Sequence, residues 1–215
     1  MAQLFSRHSG VSARLCILAV GLLVVAGIVA WRSMGANDPA RRTPPVQPVA
    51  FSHAHHVGEV GLDCRYCHTS VEHEASAGIP PLSTCMTCHS QLFTDQDELA
   101  PLIQAYAQQR TLRWQRVHTL PDFVYFDHSI HVAKGVGCES CHGRVDTMQL
   151  TERVAPLTMG WCLECHRNPA AQLRPQSEVF TMGYRAADQA ALGQSLMRRY
   201  HIQTARLSEC STCHR

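Results

Sequence analysis

The chain has 215 residues, a formal net charge of +2, 7% aromatic residues, eleven cysteines and fourteen histidines. The balanced charge excludes the basic footprint of a nucleic-acid binder, and the thin aromatic content excludes a large core built from side chains alone. Cysteine and histidine at this density demand a metal, disulfide or haem explanation.

Residues 1–14 carry Arg7 and Arg14 ahead of LCILAVGLLVVAGIVAW (Leu15–Trp31), a run without a charge. A membrane-spanning helix needs about 17–25 such residues, whereas the apolar run of a signal peptide has about 7–15. The length therefore favours a retained transmembrane helix over 15–32 to a cleaved signal. The positive-inside rule keeps residues 1–14 in the cytoplasm and exports the rest, and either reading exports the same domain. Cys16 begins the apolar run, where a lipoprotein cysteine would follow it, so it reads as a packing residue. The polar, proline-rich segment 33–50 reads as a semi-rigid extended linker that lifts the exported domain off the membrane.

The exported domain, 51–215, is organised by one repeated pattern. A Cys-x-x-Cys pair followed at once by histidine occurs as Cys64/Cys67/His68, Cys85/Cys88/His89, Cys138/Cys141/His142, Cys162/Cys165/His166 and Cys210/Cys213/His214. Zinc is the rival reading, since the interval between Cys67 and Cys85 suits a zinc ribbon. A ribbon gives no reason for a histidine after every pair, and five pairs leave one without a partner. Disulfides suit an exported chain but predict no histidines either. The pattern is that of c-type haem attachment. Two thiols three positions apart form thioethers with the two vinyl groups of one porphyrin, and the next residue swings imidazole under the iron. Five covalently bound haems c are expected, with His68, His89, His142, His166 and His214 as proximal ligands.

The domain also aligns with itself. FSHAHHVGEVGLDCRYCHTSVE (51–72) matches FDHSIHVAKGVGCESCHGRVD (126–146), the second copy being one residue shorter before its cysteines. Each is followed by a further motif after Pro-Leu-Ser/Thr, so 51–89 and 126–166 read as two copies of a two-haem module; the fifth motif, 210–214, stands outside. Each module carries a Phe-x-His-x-x-His element, His53/His56 and His128/His131. Residues three apart share a helix face while their imidazoles fan toward different irons, so each element can supply the distal ligands of two haems. The fifth haem needs one more ligand, for which His118 in RVHTLPDFVYF is the first choice. His201 is its rival, and Met159 or Met182 would give a higher potential. His55 and His73 read as surface residues, and His8 lies on the cytoplasmic side.

Regular structure is expected to be sparse: mostly irregular chain with short α-helices, in duplicated two-haem modules like those of class III cytochromes, plus the N-terminal transmembrane helix. TDQDELAPLIQAYAQQ reads as a helix capped by Thr94 or Asp95, packing Leu99, Ile103 and Tyr106. ADQAALGQSLMRRY reads as another, packing Leu192 and Leu196. Strands are not evident. Gly58, Gly61, Gly135, Gly137 and Gly143 are expected to let backbone approach the porphyrins.

Two axial nitrogens on each iron leave no open position for substrate, so the expected function is electron conduction rather than catalysis. Bis-histidine ligation lowers the potential relative to His/Met and suits electrons from iron–sulfur clusters or quinol. Three alternatives stand beside it: a membrane-anchored quinol dehydrogenase feeding a periplasmic reductase, a multihaem enzyme with one five-coordinate iron, and a structural zinc protein.

FSHAHHVGEVGLDCRYCHTSVE, RVHTLPDFVYFDHSIHVAKGVGCESCHGRVDTM and APLTMGWCLECHRNP together resemble the pentahaem, membrane-anchored cytochrome c subunit of alternative complex III. The resemblance implies a single-pass subunit of a bacterial inner-membrane complex that oxidises quinol, with its haem domain in the periplasm. Its implied partners are an iron–sulfur subunit that donates electrons and multi-span subunits that hold quinol. A mono-haem cytochrome c or a terminal oxidase would be the acceptor. The five proximal histidines carry over to this family's motifs, as do His53, His56, His118, His128 and His131; His201 does not.

Overall fold

The computed structural model describes residues 9–36 and 43–214. They fall into two units, one N-terminal to Ala40 and one from Arg41 onward. The first is a single helix, α1 (Ser9–Ala36), whose apolar stretch Gly10–Trp31 has 22 residues. At 1.5 Å per residue that stretch rises about 33 Å, enough for a hydrocarbon layer of about 30 Å. The helix begins before Leu15 and includes 9–14, and residues 1–8 lie outside those described.

The expected linker 33–50 is divided differently. Residues 33–36 complete α1, 37–42 lie outside the described residues, and 43–50 belong to the second unit. This last piece is docked rather than a free spacer. Gln47 donates from Nε2 to the Gln115 carbonyl at 2.8 Å and accepts from the Gln115 amide at 2.9 Å, and Val49 is buried.

The second unit contains no strand among the described residues, only an isolated bridge between Val136 and Leu173. Its helices are short: α2 (Cys64–Cys67), α3 (Leu82–His89), α4 (Ala100–Ala107), α5 (His128–Ala133), α6 (Glu139–His142), α7 (Met159–Arg167), α8 (Gln189–Arg199), α9 (Thr204–Leu207) and α10 (Cys210–Cys213). Several start on a side-chain cap that satisfies an otherwise orphaned amide: Asp63 on α2, Asp127 on α5, Thr158 on α7 and Asp188 on α8.

The duplication survives in three dimensions with one accommodation. The second histidine element forms α5, whereas the first forms a π-helical turn over Ala54–Glu59. The extra residue in the first copy falls between its second histidine and the cysteines. A π turn absorbs one additional residue within a helix, as in the bond from the Val60 amide to the His55 carbonyl, 2.9 Å. His53 and His56 thereby keep the placement that His128 and His131 have.

The side-chain core is small. Leu173 and Val179 are each 1% exposed, and Leu196 of α8 lies beside them in the buried set. Leu192 and Leu196 pack as the sequence indicates, Leu192 half-buried. The other expected helix is shorter than its pattern. Pro101 fits only the first turn of a helix, so α4 starts at Ala100 after a 3-10 turn at Asp97–Leu99, and neither Thr94 nor Asp95 caps it. Its buried face is Leu102 and Ala105, while Tyr106 is exposed. Three glycines, two of them among those expected to approach porphyrin, sit against protein. A Cβ on Gly58 would collide with the Asp146 carbonyl, one on Gly137 with the Arg174 guanidinium, and one on Gly193 with the Ala170 carbonyl. These glycines let protein approach protein; the Gly58 contact joins the first histidine element to the turn at Val145–Thr147.

Candidate haem centres

Each Cys-x-x-Cys-His motif occupies one helical turn. In three of the five motifs, the histidine amide donates to the carbonyl of the first cysteine: His68 to Cys64 at 2.9 Å, His142 to Cys138 at 3.0 Å and His214 to Cys210 at 2.9 Å. In the other two, α3 and α7 run through the motif. Both thiols of each pair thus lie on adjacent turns of one face, the spacing that two vinyl groups on one porphyrin edge require.

The imidazoles are held from behind. His68 Nδ1 meets the Gly78 carbonyl at 2.8 Å, His89 Nδ1 that of Leu92 at 3.2 Å, His166 Nδ1 that of Leu207 at 2.9 Å and His214 Nδ1 that of Phe123 at 3.0 Å. Among the expected distal residues, His56 Nδ1 meets the Ser52 carbonyl, His128 Nδ1 the Ala75 carbonyl and His131 Nδ1 the Asp127 carbonyl, at 2.7–2.8 Å. His53 Nδ1 meets Thr151 Oγ1 at 2.9 Å. An Nδ1–H donor to a carbonyl or hydroxyl fixes the tautomer and leaves Nε2 as the free lone pair, the arrangement found behind metal-ligating histidines.

The separations test whether iron fits between the rings. An iron–imidazole bond of about 2.0 Å on each side, with each ring centre roughly 1.1 Å behind its nitrogen, places two axial rings about 6.2 Å apart. His56 and His89 have ring centres 6.1 Å apart, His131 and His166 6.2 Å, and His128 and His142 6.2 Å with planes 10° from parallel. Burial and then the charge of the His68 ring push the His53 pKa down to about 4. In the second module His128 faces His142 and His131 faces His166; in the first, His56 faces His89. Haem fits these residues.

His118 takes a different position from these four. Its Nε2 lies 3.3 Å from His142 Nδ1, with ring centres 4.3 Å apart. That gap is too short for iron between the rings, and it gives His142 an imidazole where the other proximal histidines have a carbonyl. Burial, followed by the neighbouring imidazoles beginning with His118, pushes the His142 pKa down to about 3. Of the other spare histidines, His55 pairs with Glu59 on the exposed surface at 2.8 Å, and His201 follows α8 with φ +52°. Met159, the first residue of α7, is 65% exposed.

The phenylalanine of each element is explained by its ring contacts. Phe51 meets His53 edge-on at 4.9 Å and stacks on His56 at 4.4 Å; Phe126 meets His128 edge-on at 4.8 Å and stacks on His131 at 4.6 Å. One aromatic ring thus sets the fan between two imidazoles, in both copies.

Sequence reasoning missed the crossing of these supports. The first element leans on the chain after the third motif, through Thr151 and through the Ala54 amide on the Met148 carbonyl at 3.0 Å. The second leans on the chain after the first motif: His128 and Ser129 donate from their amides to the carbonyls of Ala75 and Glu74. Most of these partners are backbone carbonyls, which leave no mark in a sequence. Also missed was the bracing of the third motif. Glu139, next to Cys138, accepts from Arg174 Nη2 at 3.0 Å, Arg185 Nη1 at 2.8 Å and the Gly183 amide at 2.6 Å. Arg174 is 6% exposed and also donates to the Thr181 carbonyl at 3.0 Å.

The chain is similar to known multihaem cytochromes c. Residues 32–119 match the class III cytochrome c family, and residues 124–215 match cytochrome c7 and related cytochromes c. Both are families with covalently bound haem c. A relative from Nitratidesulfovibrio vulgaris (strain Hildenborough), described as the multihaem cytochrome c subunit of a menaquinone reductase, is 28% identical over 193 residues, covering 89% of this chain and 77% of its own.

Proposed function

We propose, with the chain taken as a multihaem cytochrome c whose halves match the class III and c7 families, that it relays electrons through five covalent haems c. It would do so inside a membrane complex that exchanges electrons with quinone. The single observation that carries this reading is the pairing of imidazoles at 6.1–6.2 Å, because an iron held on both faces has no position left for a substrate.

Haem c, where bound, supplies a one-electron iron couple at low potential. The residues of the chain hold it and tune it. Cys64, Cys67, Cys85, Cys88, Cys138, Cys141, Cys162, Cys165, Cys210 and Cys213 anchor the porphyrins. His68, His89, His142, His166 and His214 bind from the proximal side, and His53, His56, His128 and His131 from the distal side. The carbonyls behind Nδ1 of His56, His68, His89, His128, His131, His166 and His214 keep those rings in one tautomer and raise their basicity, which favours the ferric state. His118 reads here as the partner of His142 rather than as a ligand to the fifth iron.

The resemblance to the pentahaem subunit of alternative complex III supports a place between an iron–sulfur subunit and a mono-haem cytochrome c or terminal oxidase, with multi-span subunits holding quinol. The apolar helix α1 supports a single-pass anchor in the bacterial inner membrane, N-terminus inside and haem domain in the periplasm. A second reading is favoured by the relative in Nitratidesulfovibrio vulgaris, whose description names a menaquinone reductase: electrons would then run toward quinone from a periplasmic donor. Purification of the complex with its partners decides. Five haems by pyridine haemochrome, low-spin EPR signals and haem reduction by added menaquinol support the first direction. Reduction only by a periplasmic cytochrome supports the second, and a chain without covalent haem ends both.

A further inference from the structure

We propose that the five attachment motifs form one unbranched series in the order second, first, third, fourth, fifth, so that electrons enter and leave the subunit only at the second and fifth motifs. This rests on the electron-relay reading above and adds its route.

Four links define the series. The second and first motifs touch: Tyr66, inside the first, bonds through its hydroxyl to Thr87 Oγ1, inside the second, at 2.9 Å. The first and third motifs meet through the crossed supports, with His53 on Thr151 and His128 on Ala75. The third and fourth share α5, whose His128 and His131 stand one helical turn apart and face His142 and His166. The fourth and fifth meet where His166 Nδ1 bonds to the Leu207 carbonyl, three residues before Cys210.

The ends are also the open places. Among the motif cysteines, only Cys88 and Cys210 are exposed, one from the second motif and one from the fifth. A half-exposed aromatic ring stands by the proximal histidine at each end: Phe93 is 6.3 Å from His89 and 55% exposed, and Phe123 is 5.7 Å from His214 and 63% exposed. Phe93 sits at φ +59°, a conformation costly for an aromatic residue. Each step along the series moves one electron from a ferrous to a ferric centre, with no bond made and no proton moved. A reduced iron–sulfur cluster at one end and an oxidised c-type haem at the other would complete the balance.

The test is rapid anaerobic reduction of the assembled complex through its own iron–sulfur donor, counting haem equivalents in the fast phase. The unmodified complex should give five. Removing the fifth attachment (Cys210→Ala with Cys213→Ala) should give four if the donor engages the second motif, and none if it engages the fifth. Removing the third (Cys138→Ala with Cys141→Ala) should give two of the remaining four, whichever end the donor engages. Four fast equivalents in the third-motif variant would overturn the series. If no haem in the unmodified complex is reduced, the relay reading itself fails. Should the third-motif variant not assemble, iron–iron distances in the intact holoprotein by cryo-electron microscopy replace it. The shortest must join the motifs in the stated order, and a shorter contact from the second motif to the fourth or fifth refutes it.

Discussion

Phe126 stacks on His131 at 4.6 Å while its edge meets His128, and Phe51 repeats both contacts on His56 and His53. An aromatic pair of this kind contributes about 0.5–1.5 kcal/mol beyond burial. Phe126→Leu keeps the volume and loses the ring. The expected outcome is a full complement of covalent haems, altered EPR g-values for the fourth haem and a loss of stability of about 1 kcal/mol. His131→Ala should go further and turn that same iron high-spin with all five haems still attached, which optical and EPR spectra would report.

Thr151 braces the first haem from the opposite module. With Nε2 committed to iron, His53 Nδ1 carries the proton and donates to Thr151 Oγ1 at 2.9 Å. Thr151→Val removes the acceptor at constant shape. A neutral hydrogen bond of about 1 kcal/mol corresponds to roughly 40 mV for one electron, and its loss should raise the potential of that haem, since a less basic imidazole favours ferric iron less. Spectroelectrochemical titration would show one potential rising. The affected haem is identified by its absence in Cys64→Ser with Cys67→Ser.

Arg174 and Glu139 form an ion pair at 3.0 Å with side-chain exposures of 7% and 10%. Removing one partner of a buried pair costs about 3–5 kcal/mol because the other is stranded. Arg174→Ala should therefore lower the thermal midpoint of the holoprotein by many degrees, although Arg185 still reaches Glu139. Arg174→Lys would rescue only part of that loss, since lysine cannot span Glu139 and the Thr181 carbonyl together.

Glu139 also sets an acid limit. Burial by itself would raise its pKa, but the Gly183 amide, Arg185 and Arg174 outweigh it, and the carboxyl titrates below its ordinary 4.5. A carboxylate depressed in the folded state contributes stability that is complete above the unfolded value and is lost as pH falls through the folded one. Denaturant midpoints taken from pH 6 downward should stay level until the ordinary carboxylate range and then decline. In Glu139→Gln the whole curve should start lower and that part of the decline should vanish.

Gly58→Ala tests the junction of the modules. The added methyl would meet the Asp146 carbonyl, which is backbone and cannot rotate away. Overpacking of this kind costs about 1–3 kcal/mol. Gly61→Ala is a different case, because there the space is open and the strain is in φ, +78°. Comparing the two by thermal unfolding separates crowding from backbone strain.

What could be read in the sequence was whatever side chains announce. The repeated motifs gave the haem class, and the doubled Phe-x-His-x-x-His element located the distal imidazoles beside the proximal ones. Leu196 was legible from its helical spacing. Other features were not. The start of α4 follows from Pro101 overriding the acidic capping pattern, and the close approach of Gly58 to the Asp146 carbonyl has no signature in the sequence. Matching the supply of histidines to the number of irons points to His118 as a ligand and says nothing of its neighbour. Its contact with His142 depends on a loop path that no local pattern fixes. The carbonyls behind Nδ1 belong to Gly78, Leu92, Ala75, Leu207 and Phe123 only by position, and any residue there would serve.

The crossed supports have a consequence for biogenesis. Synthesis from the N-terminus makes His53 long before Thr151, and the segment at Ala75 long before His128. A half expressed alone, or exchanged with that of a cousin, would lack the brace that the other half supplies and is expected to hold its inner imidazole less firmly.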